Sequence, residues 1–206
     1  MSYVEHLLIA ETGTDEQSRY AVMAGVRLED PAAAEARLRD TSDESVIEVL
    51  RGLAFEIRIV FASKQRIEAI GEDWRYGFLY ELAAHTFDSN RQARRIGGYR
   101  LIAHLEEGRP FDFDWLGAYL TNASYSQARV HTRVLQRGAP LMALPALVAR
   151  LFHGAVQEDR GRPSAARERY DALAPLIKHV EDLGFAISYA GKGTDADSIV
   201  RAGLST

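Results

Sequence analysis

Two apolar, β-rich runs separated by one polar turn open the sequence, and this pairing constrains the fold more than any other feature. Tyr3 to Glu11 carries Leu7, Leu8 and Ile9 and ends at Thr12-Gly13-Thr14-Asp15, a turn signal. Arg19 to Leu28 follows with Tyr20, Val22, Met23 and Val26. The spacing predicts an antiparallel hairpin with a loop of about six residues. A hairpin so apolar commits the chain to a sheet, and the sheet must be covered by other elements.

The downstream pattern supplies that cover. Asp30-Pro31 opens a helix running to about Arg39, because proline suits the first helical position. Thr41-Ser42-Asp43-Glu44 reads as a capping box for the next helix, which carries Val46, Ile47, Val49 and Leu50 and stops at Gly52. Phe55 to Ala62 alternates, with Phe55, Ile57, Ile59 and Phe61 on one side, as a half-buried strand does. Trp74, Phe78, Leu79, Leu82, Ala83 and Phe87 form one helical stripe. Strands are expected over Tyr99 to Leu105 and Arg129 to Leu135, with a short helix around Trp115, Leu116 and Tyr119 between them. Leu144 to Ala155 is a strongly striped helix with Pro145 tolerated in its first turn. Tyr170, Leu173, Ala174, Ile177, Val180 and Leu183 predict a last helix, with a final strand over Phe185 to Tyr189. The stripes predict that Trp74, Phe78, Leu82, Leu147, Leu151, Ile177 and Val180 share one core. Residues 1–190 thus read as a single α/β domain with one mixed sheet covered by helices, and 191–206 as a loosely held tail.

Composition narrows the function classes. The 206 residues include no cysteine, so disulfides, thiolate nucleophiles and cysteine-ligated metals are excluded. No apolar run approaches the ~18 residues that span a bilayer, and the first residues lack the pattern of a signal peptide. The expected setting is the cytoplasm, with no membrane partner. A net charge of −4 argues against bulk nucleic-acid binding, which shows a basic surplus.

No motif carries an enzymatic signature. His6, His85, His104, His131, His153 and His179 are scattered without metal-ligand spacing. Gly191-Lys192-Gly193-Thr194 lacks the strand and helix of a phosphate loop, and Ser124 and Ser126 lack a nucleophile elbow. Arg91, Arg94, Arg95 and Arg100, joined by Arg129 and Arg133, are candidate phosphate contacts; a structural role as cations at a helix C-terminus serves the first four better. Glu11, Glu106 and Glu107 are acids at strand ends, where nuclease folds bind metal and where polar loops also place them.

One resemblance organises these residues. Leu7-Leu8-Ile9-Ala10-Glu11-Thr12-Gly13, then Arg19-Tyr20-Ala21-Val22-Met23-Ala24-Gly25-Val26, and later Met142-Ala143-Leu144-Pro145-Ala146-Leu147-Val148-Ala149-Arg150, resemble a ribonuclease H-like family of uncharacterised bacterial and phage proteins. Its members open on a strand ending Asp-Glu-Ser-Gly and carry a late helix of the type Leu-Gln-Leu-Ala-Asp-Leu-Leu-Ala-Gly. The resemblance implies a ribonuclease H-like fold and a two-metal nuclease site. This chain departs from that site: the strand aspartate falls on Ala10, the helix aspartate on Ala146, and the central acid near His104. The expectation is a non-catalytic binding protein without metal or cofactor, with a protein partner in bacterial or phage conflict as an immunity, inhibitor or accessory protein. The alternative is a metal-dependent nuclease with a rearranged site at Glu11, Glu106 and Glu107, with His104 as a base.

Overall fold

The computed structural model describes residues 4–39, 41–42, 45–49, 52–68, 74–89, 100–108, 129–157 and 165–183. The opening hairpin forms as its sequence requires. β1 (Val4–Thr12) pairs antiparallel with β2 (Tyr20–Leu28), with Ala10 opposite Ala24 and Glu11 opposite Met23. β3 (Phe55–Ser63) adds antiparallel to β2. β4 (Arg100–Glu106) lies parallel to β1, β5 (Arg129–Leu135) parallel to β4, and β6 (Ile177–Asp182) parallel to β3. The result is one mixed six-stranded sheet in the order β5-β4-β1-β2-β3-β6.

Helices cover both faces. α1 (Pro31–Leu38) starts at Asp30, whose carboxylate accepts the N–H of Ala33 at 2.9 Å. α2 (Val46–Val49) and α3 (Lys64–Glu68) are short; α4 (Trp74–Ser89) and α5 (Ala143–Gln157) are the long ones, and α6 (Ala165–Asp171) packs on α5. Side chains alternate along each strand, so each strand feeds two cores. On one face Leu7, Ile9, Met23 and Leu101 meet Trp74, Phe78 and Leu82 of α4. On the other Leu8, Val26, Ile57 and Ile59 meet Leu144, Leu147 and Leu151 of α5.

The sheet is thus a partition, and the single core expected from the stripes is two. Val180 stands 42% exposed rather than inside, because the expected last helix is instead α6, a 3-10 turn at Ala174–Leu176 and the edge strand β6. Pro175 sits inside that turn, where helix propagation stops. β3 is buried on both faces rather than half-buried, since β2 and β6 flank it and helices cover it. Thr41 does not cap α2. Its hydroxyl donates back to the carbonyl of Arg37 at 2.8 Å and closes α1, and α2 begins only at Val46. The expected helix around Trp115, the strand over Phe185 to Tyr189 and the 191–206 tail lie outside the described residues.

Candidate functional site

The period of two along β1 decides which acids can meet. Leu7 and Ile9 face α4, so Glu11 does too; Leu8 faces α5, so Ala10 does too. On β4, Leu101, Ala103 and Leu105 face α4, which turns His104 and Glu106 to the α5 side. Glu11 and Glu106 therefore stand on opposite faces of the sheet. The three-acid cluster of Glu11, Glu106 and Glu107 is not brought together.

Each acid has its own engagement. Glu11 Oε2 accepts from Nε of Arg75, in the first turn of α4, at 2.8 Å, and its side chain is 4% exposed. The same guanidinium lies 4.5 Å from the ring centre of Trp74, so a cation seals Glu11 in place. Glu106 accepts the N–H of Gly138 at 3.0 Å, tying the end of β4 to the turn after β5. Glu107 is exposed in the turn after β4, and its own N–H donates to Leu135 at 2.7 Å.

On the α5 side, beyond the C-terminal ends of β1 and β4, a cavity of about 280 Å³ opens. This end of parallel strands is where open α/β sheets bind ligands. Ala10 and Ala146 both line it, with Glu106, Arg39, Thr41 and Met142. β1 delivers Ala10, the second turn of α5 delivers Ala146, and the C-terminus of α1 delivers Arg39. Glu106 is the one carboxylate lining it among the described residues. Two-metal chemistry needs several carboxylates around cations about 4 Å apart. One carboxylate already holding an amide does not fit that requirement. Nor do the described residues contain any group of three or more histidines and acids placed to hold a metal ion.

His104, the candidate base, sits two residues before Glu106 on the same face and is buried. Its Nε2 lies 2.9 Å from Nδ1 of His6, which β1 presents from the adjacent strand. Burial, then His6, then Arg133 hold its pKa down to about 4; burial and Arg133 lower that of His6. Both imidazoles are neutral at pH 7, and Nδ1 of His104 has no hydrogen-bond partner. Sequence reading missed His6 as a partner, although its place on alternate positions with Leu8 and Ala10 was available. It also missed Arg75, for which no local signal exists. Of the candidate phosphate contacts, Arg91, Arg94 and Arg95 lie outside the described residues. Arg129 sits opposite Arg100 and Arg133 opposite His104 in the β4–β5 register.

No protein-family model matches the sequence, and no curated protein matches it. The fold is similar to that of several ribonucleases. A chain of the PCNA:RNase HII complex from Archaeoglobus fulgidus aligns with a TM-score of 0.46 and 12% identity, over 95% of this chain and 99% of that one. Ribonuclease H2 from Pyrococcus horikoshii OT3 aligns with a TM-score of 0.42 and 13% identity, over 84% and 92%. Bst-RNase HIII in complex with Mn2+ aligns with a TM-score of 0.45 and 12% identity, over 83% of this chain and 61% of that chain. The fold that the strand pairing itself establishes is a single mixed six-stranded sheet covered by helices.

Proposed function

We propose that this chain is a ribonuclease H-like domain that acts by binding and has no metal-dependent cleavage. The observation that carries the reading is the cavity lining. Ala10 and Ala146, the positions where the family resemblance implies aspartates, line one cavity, and among the described residues a single carboxylate stands there with them. Alanine offers no ligand, and Mg²⁺ requires oxygen donors in near-octahedral geometry. Glu11, the remaining acid of the opening motif, serves Arg75 on the far face. An immunity, inhibitor or accessory role in bacterial or phage conflict, with a protein partner, is the setting that the resemblance implies.

The retained Glu106 in the cavity gives the alternative nuclease reading its one support. The test separates the two. Purified protein is incubated with single- and double-stranded DNA and RNA in Mg²⁺ and in Mn²⁺, beside Glu106→Gln and Glu11→Ala variants. The expected result is no cleavage above the buffer rate. Metal-dependent cleavage that disappears in Glu106→Gln would overturn the reading.

A further inference from the structure

We propose that the α5-side face of β4 and β5 is a docking surface for an acidic segment of a protein partner. Alternate residues of paired parallel strands share a face. Arg100, Ile102 and His104 on β4 stand opposite Arg129, His131 and Arg133 on β5. α5 packs on β1 and β2, and Arg100, His131 and Arg133 are exposed. Among the described residues, neither Arg100 nor Arg133 is held in an ion pair.

Arg100 and Arg133 place two exposed cations on this one face. The positive potential reaches inward, where Arg133 disfavours protonation of both His6 and His104. The carboxylates of a partner would complement these cations, so docking is favoured by charge complementarity.

The repeat distance fits an extended peptide. His131 and Arg133 are two residues apart on one strand face, a separation of about 6.6 Å. An extended acidic segment with carboxylates at alternate positions has the same repeat. A single-stranded nucleic acid fits less well. Such binders add aromatic rings on which bases stack, and on this face of β4 and β5 the described residues offer no Phe, Tyr or Trp.

Fluorescence anisotropy on the full chain tests the surface. The probes are a labelled peptide of alternating glutamate and glycine, a neutral serine–glycine peptide and a labelled oligo(dT). The acidic peptide is expected to bind, and to weaken about tenfold or more between about 50 and 200 mM salt. Combined Arg100→Glu and Arg133→Glu is expected to abolish binding, and the paired glutamine variants to weaken it about tenfold. Both positions are exposed, so thermal midpoints should change little and report a folded chain. Should the reversal fail to fold, the glutamine pair carries the test. Absence of acidic-peptide binding at low salt, binding unchanged in the folded variants, or tighter binding of oligo(dT) would each overturn the proposal. Nuclease activity would sink the reading of the cavity and leave this result standing.

Discussion

Arg75 Nε reaches Glu11 Oε2 at 2.8 Å across the α4 face of the sheet, so the acid that ends the first strand is a structural anion. Arg75→Ala removes the cation from a nearly buried carboxylate and is expected to cost about 1–3 kcal/mol. Glu11→Gln combined with Arg75→Gln is expected to cost less than the sum of the single changes. Urea unfolding of the full double-mutant cycle measures the coupling. Additive losses would show that the pair is not an energetic unit.

Placing acids at Ala10 and Ala146 offers a positive test of the cavity. Ala10 is buried and Ala146 half-buried, so aspartates at both positions are expected to destabilise the metal-free protein. With Glu106 they would place three carboxyl groups on one cavity. Mn²⁺ should then raise the thermal midpoint of Ala10→Asp/Ala146→Asp while leaving the parent chain unmoved. Equal shifts in both proteins would mean that the cation binds elsewhere.

Acid should weaken the fold through the histidine pair. Burial, His6 and Arg133 lower the pKa of His104 from 6.5 to about 4. A depressed folded-state pKa means that the unfolded chain binds the proton more readily. Stability is therefore full above pH 6.5 and is lost as pH falls from there towards about 4. His6 and His153, both also lowered chiefly by burial, push in the same direction. The loss attributable to His104 is on the order of 3 kcal/mol, read from urea midpoints across that range. A His104→Leu variant should show a flatter profile, and an unchanged slope would refute the assignment.

Gly13 is fixed by its surroundings. Its φ is 74°, and a Cβ there would lie 2.1 Å from the carbonyl oxygen of Tyr20 and 2.8 Å from the His153 ring. Gly13→Ala is expected to cost more than the ~1 kcal/mol of left-handed strain alone. Chemical denaturation gives the number, and a change within half of that figure would show that the turn adapts. By contrast Gly52, at φ 90°, has open space around it and should show only the strain.

Leu147 and Leu151 lie on the buried face of α5. Either one changed to alanine should cost about 2–5 kcal/mol. The equivalent change at Val180, 42% exposed on β6, should cost well under 1 kcal/mol. Comparable losses at all three positions would restore the single-core expectation that the two-faced sheet replaces.

Much of the architecture was legible because it rests on local pattern. The first hairpin, the Asp30-capped helix, the Arg129–Leu135 strand and the Leu144–Ala155 helix all announce themselves through period or cap. The region from Tyr170 to Leu183 did not. Tyr170, Leu173, Ala174 and Ile177 mimic helical spacing, while the partner that makes β6 a strand is β3, more than a hundred residues earlier. The site was half legible. Motif alignment singled out Ala10 and Ala146 together, and they share a cavity. Glu11 was grouped with Glu106 because both end strands, yet strand parity separates them. Arg75 and His6 escaped notice because a contact between distant elements leaves no mark in either segment.

The addition of β6 to the outer edge of β3 also sets an order of events for the chain. β1, β2 and β3 pair with near neighbours, so their closure costs little chain entropy. β6 must return to the far edge and dock parallel, with Ile177 finding Ile57. Long-range parallel pairing forms slowly, and a strand exposed along alternate residues gains little on docking. In native-state hydrogen exchange the β6 amides should open by a lower-energy excursion than those of β1 and β2, which makes this edge the first part of the sheet to peel.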